Sequence, residues 1–391
     1  SGYYPHATGV LGYVSPRPAI GERATWSQHF KNAGYYTARV SKIYHMGVPG
    51  GIEKGTDGAD DPAAWTEEFN SRGPEWKAAG KGEKLEGTPD GKKPVVGGNT
   101  FVVVEADGDD LVHSDGKTAQ KAAELIHKYK DRKKPFFLAV GFVRPHVPFV
   151  APKKYFDLYN PKDIVLPPKI AGDQDDIPKT PGNRRTTANY QMNLLQQKKL
   201  VAGYYASVSY MDAMLGRVIK ALEETGQREK TIVIFTSDHG YHLGEHDMWS
   251  KVSVHKESAQ VPLIISVPGK KPAICHSFAE LLDLYPTTSS LCGLKISGNL
   301  QGKDISRLFD NPNLKVRDAV LSSGKGMLYR EEKWAYIHYG KSGELYDMEK
   351  DPKQYNNLID DSKYAKVLLG LREKLKAKLS KIQKNDLGKK N

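Results

Sequence analysis

The sequence predicts an α/β fold in which helices cover both faces of a large, mostly parallel β-sheet, followed by a smaller α+β subdomain. Along most of the chain, apolar runs alternate with segments of helical periodicity, as in repeated βα units. Near residues 311–313 the pattern changes to short strand-like pieces and then to a Lys-rich amphipathic helix. We therefore predict a large domain over residues 1–312. Residues 313–391 are predicted to form a C-terminal subdomain with a small antiparallel sheet and the Lys-rich helix.

Each predicted element has its own signal. Apolar residues at three- and four-residue spacing predict helices, at residues 22–33, 118–130, 197–225, 278–291 and after about residue 364. Short apolar runs predict strands, at residues 36–44, 135–143, 231–236, 261–267, 319–321, 327–329 and 334–339. The uninterrupted runs at 135–143, 231–236 and 261–267 are typical of strands buried on both faces of a sheet. Residues 48–99 and 165–185 are predicted loops, and a loop as long as the first is often functional.

Charge and composition narrow the class of protein. The net charge is +12, and residues 362–391 alone carry ten basic and two acidic side chains, 10 − 2 = +8. This tail is either a solvated helix face or an attractor of polyanions. The chain has neither zinc-finger spacing nor an aromatic RNA-binding pattern, so we predict no nucleic-acid partner. No apolar run reaches the roughly 18 residues that a membrane helix needs, so we predict no membrane span.

The two cysteines, Cys275 and Cys292, are too few for a disulfide scaffold. They lie on either side of the apolar helical stretch at 278–291, which favours two buried thiols. A single disulfide between them is the alternative if the protein is exported.

A candidate metal site follows the apolar run at 231–236, where Asp238 and His239 stand at the end of a predicted strand. In open α/β sheets, ligands bind beyond the carboxyl ends of strands, and a carboxylate beside an imidazole can hold a divalent cation. The alternative is a turn aspartate with a surface histidine. The overlapping stretch 242–246 also matches the zinc-peptidase pattern H-x-x-E-H. Gly244 lies inside the helix that this pattern requires, which argues against a peptidase.

Two further segments place basic side chains after predicted strands. Lys42 and His45 end the run at 36–44, and His146 lies between Pro145 and Pro148, which restrict the backbone around it. A histidine fixed at the carboxyl end of a strand suits a general acid. In isolation, the first segment is equally consistent with a surface lysine and a packed histidine, and the second favours a structural loop histidine.

Six stretches then occur in order along the chain: SGYYPHATG at 1–9, KIYHMG at 42–47, RPHVPF at 144–149, SDHGYHLGEH at 237–246 with Lys251 beyond it, ELLDLYPT at 280–287 and ELYDMEKDP at 344–352. Together they resemble the signatures of the sulfatase family within the alkaline-phosphatase-like superfamily, most closely its iduronate-2-sulfatase-like branch. Ser41 departs from that branch, which has glycine before the lysine. The resemblance covers nearly the whole chain.

The resemblance implies a sulfuric ester hydrolase that removes sulfate from a sulfated saccharide. Lys42 and Lys251 would hold the sulfate oxygens, His146 would lie at the bridging oxygen, and His45 would lie near the nucleophile. These roles agree with the chemistry, because cations must offset the charge of a sulfate ester before an oxygen nucleophile approaches. The departing sugar alkoxide also needs a proton donor.

The resemblance further implies one calcium ion, bound in part by Asp238 and His239, and a formylglycine nucleophile made from Cys or Ser. The activation signature and an aspartate pair that would complete the calcium site are expected upstream of residue 1, so we expect this chain alone to be inactive. The branch also implies an exported protein. Two alternatives remain, a phosphodiesterase or phosphonate hydrolase of the same superfamily and a catalytically dead relative that binds sulfated glycans.

Overall fold

The computed structural model describes residues 1–87, 101–183, 185–296 and 300–387. Its strands are β1 Tyr36–Ser41, β2 Glu67–Phe69, β3 Gly80–Lys84, β4 Val102–Ala106, β5 Phe136–Gly141, β6 Phe149–Pro152, β7 Val233–Thr236, β8 His242–Leu243, β9 Trp249–Ser250, β10 Leu263–Ser266, β11 Ala319–Ser323, β12 Met327–Glu331, β13 Trp334–His338 and β14 Gly343–Asp347. Its α-helices are α1 Pro5–Thr8, α2 Arg17–Ile20, α3 Trp26–Asn32, α4 Gly50–Lys54, α5 Ser114–Tyr129, α6 Lys153–Phe156, α7 Thr187–Tyr190, α8 Leu194–Glu224, α9 Lys256–Ala259, α10 Leu284–Leu291 and α11 Ala365–Gln383. Short 3₁₀ helices span Pro62–Ala64, Glu75–Lys77, Asp110–Val112, Pro161–Asp163, Arg228–Lys230, Glu245–Asp247, Leu281–Asp283, Ser306–Phe309 and Ser362–Tyr364.

The strands of the large domain confirm the α/β prediction. β1 pairs in parallel with both β2 and β5, and β4 pairs in parallel with β6. β3 adds to β4 in the antiparallel direction, and β7 pairs antiparallel with β10. Parallel neighbours place their carboxyl ends at the same edge of a sheet, and this edge is where the predicted chemistry lies.

Two long helices form much of the core. α8 begins with a capping box, in which the Asn193 side chain accepts from the Gln196 N–H at 2.9 Å and the Gln196 side chain accepts from the Asn193 N–H at 2.7 Å. The helix ends before Gly226, whose φ of 65° suits glycine. α5 packs along α8 through small and aromatic buried residues, among them Ala122 and Tyr210. Both helices begin about one turn earlier than predicted.

Several predictions are wrong in detail. β5, β7 and β10 are only half-buried, and Ile264 on β10 is 62% exposed. In the described ranges β5 pairs only with β1 and β7 only with β10, so their apolar residues find fewer neighbours than a fully enclosed strand has. The helix predicted at 22–33 begins at Trp26, and the one predicted at 278–291 begins as a 3₁₀ turn at Leu281.

The predicted loop at 48–99 is partly ordered, because it contains α4, β2 and β3. Residues 88–99 of that prediction lie outside the described residues. The thiol prediction is also corrected: Cys275 is exposed, Cys292 is half-buried, and both are free. Among the described residues, no helix is long and apolar enough to span a bilayer.

The C-terminal part forms the predicted antiparallel sheet, in the order β11-β12-β13-β14, covered by α11. Two buried ion pairs tie it to the rest of the chain. Arg317 donates to Asp283 at 2.5 Å and also contacts Glu280. His255 contacts Glu344 at 2.6 Å with both side chains inaccessible to solvent. The stretches 280–287 and 344–352 therefore contribute to structure, and the boundary at residue 312 stays a prediction.

Candidate active site

Six side chains that the sequence singled out line one cleft of about 1990 Å³. They are Lys42, His45, His146, Asp238, His239 and Lys251. The carboxyl ends of three strands position most of them. Lys42 directly follows β1, the loop with His146 follows β5, and Asp238 lies two residues after β7. Residues of the C-terminal subdomain, including Ser323 and Lys325, also line the cleft.

The backbone at the end of β1 positions Lys42 and His45. The Lys42 N–H donates to the Gly141 carbonyl at 3.1 Å, which continues the pairing of β1 with β5 by one residue. Ser41 adopts a left-handed φ of 60°, at the position where the family pattern has glycine. The Tyr13 ring stacks on the His45 imidazole at 3.9 Å between centroids. Burial and the neighbouring lysines lower the pKa of His45, so this imidazole is neutral at neutral pH.

A buried network positions the loop that carries His146. The Asp115 carboxylate accepts from the backbone N–H groups of Val143 and Arg144 at 2.7 and 2.9 Å. The Arg144 guanidinium donates to both oxygens of Glu75, at 2.7 and 2.6 Å, and to the His146 carbonyl at 2.6 Å. Because Arg144 is buried and fully engaged, it holds the loop in place and does not face the cleft.

His146 and Lys251 are in direct contact. The Lys251 ammonium lies 2.8 Å from His146 Nε2, and His146 Nδ1 lies 2.6 Å from the Val147 carbonyl. A carbonyl only accepts, so Nδ1 carries the proton and the Nε2 lone pair accepts from Lys251. Burial, aided by the Lys251 charge, lowers the pKa of His146 to about 3. Burial likewise lowers the pKa of Lys251 to about 8, although Asp238 opposes this shift.

Asp238 and His239 are suited to bind a cation together. Gly240, next to them, lets the chain pass close to α9, because a Cβ there would lie 2.0 Å from the Glu257 carbonyl oxygen. His239 Nδ1 lies 2.8 Å from the Gly240 carbonyl, which leaves the Nε2 lone pair free on the side of Asp238, 3.7 Å from its Oδ1. Burial disfavours ionisation of Asp238, but His239 and the cleft lysines outweigh it and lower its pKa. An ionised carboxylate beside an imidazole lone pair fits a divalent cation.

These two groups are too few to hold a calcium ion by themselves. Calcium takes six to eight ligands, most of them oxygen atoms. Within the ranges that the structure describes, no three His, Cys, Asp or Glu side chains converge as a metal-binding group. Within the described ranges, Asp238 and His239 alone therefore do not complete a calcium site.

The H-x-x-E-H stretch does not form a zinc-peptidase site. His242 lies in strand β8 and His246 in a 3₁₀ turn with a φ of 57°, so the required helix is absent from this described segment. His242, His246 and His255 instead form a buried cluster with ring centroids 5.0–6.3 Å apart. His242 contacts Ser253 at 2.7 Å, and His246 contacts the buried Asp173 at 3.1 Å. The stretch packs the segment that leads to Lys251.

The structure adds three cleft residues that sequence reasoning missed: Tyr13, Arg185 and Lys325. Each lies in an irregular segment or turn, far along the chain from the residues it joins. A cation in a predicted loop was the only available signal for Arg185. No periodicity or motif marks the contact of Lys325 with the large domain.

Comparison with known proteins identifies the family of the chain. Residues 1–294 match the family model described as "Sulfatase", and residues 244–384 match the one described as "N-sulphoglucosamine sulphohydrolase, C-terminal". A "Sulfatase" of Formosa agariphila is 29% identical over 97% of this chain and 75% of its own length. Human "Iduronate 2-sulfatase" is 28% identical over 93% of this chain and 81% of its own length.

Among solved structures, the phosphonate monoester hydrolase SpPMH from Silicibacter pomeroyi superposes with a TM-score of 0.76, over 97% of this chain and 84% of that chain. At 19% sequence identity, this likeness establishes the alkaline-phosphatase-like fold alone. The family match over residues 1–294 favours sulfate-ester hydrolysis over phosphonate hydrolysis. The chain belongs to the sulfatase family and is of the class that hydrolyses sulfate esters.

Proposed function

We propose that the protein removes sulfate from a sulfated saccharide, with the six cleft residues in the roles that their positions suggest. The observation that carries the proposal is the convergence of two lysines and three histidines on one cleft, with the Lys251 ammonium 2.8 Å from His146 Nε2. The names of the human relative and of the C-terminal family model both refer to sulfated sugars, which supports a saccharide over a simple alkyl or aryl ester.

Lys42 and Lys251 would bind the sulfate oxygens. Both ammonium groups belong to residues that line the cleft, and their charge depresses the pKa of His45 and His146. A sulfate monoester anion placed between the lysines would relieve their mutual repulsion. Compact ammonium groups suit a tetrahedral oxyanion, whose charge is spread over several oxygens.

His146 and Lys251 would manage the proton of the leaving alcohol. The Nε2 lone pair of His146 already accepts from Lys251, so a proton can pass from Nζ to Nε2 and from there to the bridging oxygen. The low pKa of His146 makes its imidazolium a strong acid. The pKa of the Lys251 ammonium, which donates the proton, is lowered towards neutral pH. The sugar alkoxide is a poor leaving group, so this proton is needed as the ester bond breaks.

Asp238 and His239 would hold the calcium ion that the family uses. When bound, calcium would polarise the sulfate, and the family's formylglycine would supply the nucleophile. His45 would lie beside the nucleophile as a neutral base, held by the Tyr13 ring. By the same family resemblance, we propose an exported protein, which fractionation of the native host would test.

The test is sulfate release by the native full-length protein, measured by ion chromatography. We expect release from a sulfated disaccharide and much slower phosphate release from the matching phosphate monoester. Lys251→Ala should lower turnover by orders of magnitude while the circular dichroism spectrum is retained, and Lys256→Ala, which alters a lysine elsewhere in the cleft, is the matched control. Retained turnover in Lys251→Ala would remove this residue from the site. Preference for the phosphate ester would favour the phosphodiesterase alternative.

A further inference from the structure

Arg185 is a cation with no counter-ion in the described part of the chain. Its carbonyl accepts from the Trp249 N–H at 2.7 Å, which places the residue two positions from Lys251 in the neighbouring segment. One guanidinium nitrogen donates to the Tyr190 hydroxyl at 2.9 Å. Its Nε is buried and makes no hydrogen bond, and no carboxylate lies within 4.0 Å of it among the described residues. The side chain lines the active-site cleft.

Lys325 reaches the same place from the C-terminal subdomain. It stands at the tip of the hairpin between β11 and β12 and is exposed on the cleft wall. A Cβ placed on Gly182 would lie 3.4 Å from the Lys325 Cβ and 2.9 Å from the Val252 carbonyl oxygen. The hairpin tip, the segment before Arg185 and the residue after Lys251 therefore meet. Within the described ranges, Lys325 has no ion pair.

This placement of the Arg185 guanidinium is energetically unfavourable unless an anion binds beside it. A partly buried guanidinium loses hydration, and the Lys251 ammonium adds repulsion that an ion pair would remove. The Arg185 charge is close enough to help lower the pKa of Lys251. Unpaired cations that converge in a cleft concentrate anionic ligands there. A guanidinium also binds carboxylate or sulfate through two parallel hydrogen bonds.

We infer that Arg185 and Lys325 form a second anion subsite, which binds an anionic group of the saccharide other than the sulfate that is removed. The inference rests on the proposed function, because it places the subsite beside the lysines that bind the scissile sulfate. A uronate carboxylate and a second sulfate share the required chemistry. The subsite makes the C-terminal subdomain part of substrate selection, since one of its two cations lies on the β11–β12 hairpin.

The test measures binding by isothermal titration calorimetry at low salt, with three methyl glycosides as probes. The first is a 2-O-sulfated uronate, the second is its methyl ester, and the third is a neutral hexose with two sulfates. We expect the wild type to prefer one or both dianionic probes over the methyl ester. Arg185→Gln and Lys325→Gln should each reduce this preference about tenfold, as expected for one charge-assisted contact. The dianion that loses most identifies the natural group as carboxylate or sulfate.

Two control variants separate recognition from structure. Tyr190→Phe removes the hydrogen bond to Arg185 but keeps its charge, so the preference should persist. Lys220→Gln removes one charge from the exposed face of α8, where the side chain is 72% exposed, and should change nothing. Loss of preference in Tyr190→Phe equal to that in Arg185→Gln would show that Arg185 only braces the loop, and would overturn the inference.

Binding and sulfate release by the wild-type protein distinguish failure of the subsite from failure of the proposed function. Equal binding of all three probes, with sulfate release intact, would refute the subsite and leave the proposed function standing. An unchanged preference in both charge variants would also refute the subsite. Absence of binding by every probe, together with absence of sulfate release, would refute the proposed function and the subsite with it.

Discussion

The contact between Lys251 and His146 predicts a measurable change in the titration of His146. Replacing Lys251 with methionine keeps much of the side-chain volume but removes the charge 2.8 Å from His146 Nε2. Because that charge is one of the causes that depress the imidazole, the pKa of His146 should rise from about 3. The rise should stop below the ordinary histidine value of about 6.5, because burial is the larger cause and remains.

The size of the rise can be bounded. In a water-like dielectric, two charges 2.8 Å apart interact by about 1.5 kcal/mol, which corresponds to about one pH unit. The cleft is less polar than water, so this is the lower bound. The upper bound on the rise is the whole difference between the ordinary pKa of histidine and that of His146, 6.5 − 3 = 3.5. The pKa of His146 in Lys251→Met should therefore lie between about 4 and 6.5.

Heteronuclear NMR of labelled histidine, titrated from pH 8 to about 4.5, measures this directly and requires no turnover. With a pKa of about 3 the wild-type imidazole stays almost fully neutral over this range, whereas a pKa of 4 would leave about a quarter protonated at the acidic end. His146→Gln assigns the signal, and Lys256→Met controls for loss of a cleft lysine. A His146 signal that titrates identically in Lys251→Met and in the wild type would refute the contact and the proton path built on it.

Three other predictions follow from the same structure. Lys251 loses its proton as pH rises through its lowered pKa of about 8, so calorimetry should show inorganic sulfate binding several-fold more weakly at pH 9 than at pH 7; constant affinity would contradict this. Ser41→Gly should raise the free energy of unfolding in urea by about 1 kcal/mol, because Ser41 has a left-handed φ of 60°; a loss of stability would contradict it. Asp283→Asn should lower that free energy by about 3–5 kcal/mol through its buried pair with Arg317. The exposed Asp310→Asn should lower it by at most about 1 kcal/mol, and similar losses in the two would show that burial does not strengthen the pair.

The sequence was most informative where the local pattern and the tertiary environment agree. The stripe on α8 and the apolar run of β1 were readable because each signals burial within its own element. The chemical residues were readable for a related reason. Lys42 and Asp238 each follow a strand, and ligands bind beyond the carboxyl ends of strands in α/β sheets, while the family resemblance predicted that the two would share one site.

Contacts between distant irregular segments could not be predicted in this way. Arg185 reaches Lys251 through a pairing of residues 185–186 with 248–249, and no periodicity encodes that register. The half-burial of β7 and β10 was equally unreadable, since an apolar run reports a preference for burial but not whether neighbours are present to satisfy it. The H-x-x-E-H stretch shows the same limit, because its letters do not reveal that His246 leaves the helical region at a φ of 57°.

The backbone around Lys251 explains how one flexible side chain can act as a fixed charge. Ser250 and Val252, its two neighbours, have φ values of 73° and 98°, and such a conformation costs a β-branched residue about 1–3 kcal/mol. The segment is retained because its other side chains are buried: Trp249 and His246 are each 1% exposed, and packing against them offsets the strain. A relaxed extended backbone would place Trp249 and Lys251, which are two residues apart, on the same face, so it could not bury Trp249 while directing the Lys251 ammonium to His146 Nε2. The strain therefore contributes to preorganisation, because the charge is already positioned when the sulfate arrives and no reorganisation is needed at the moment of reaction.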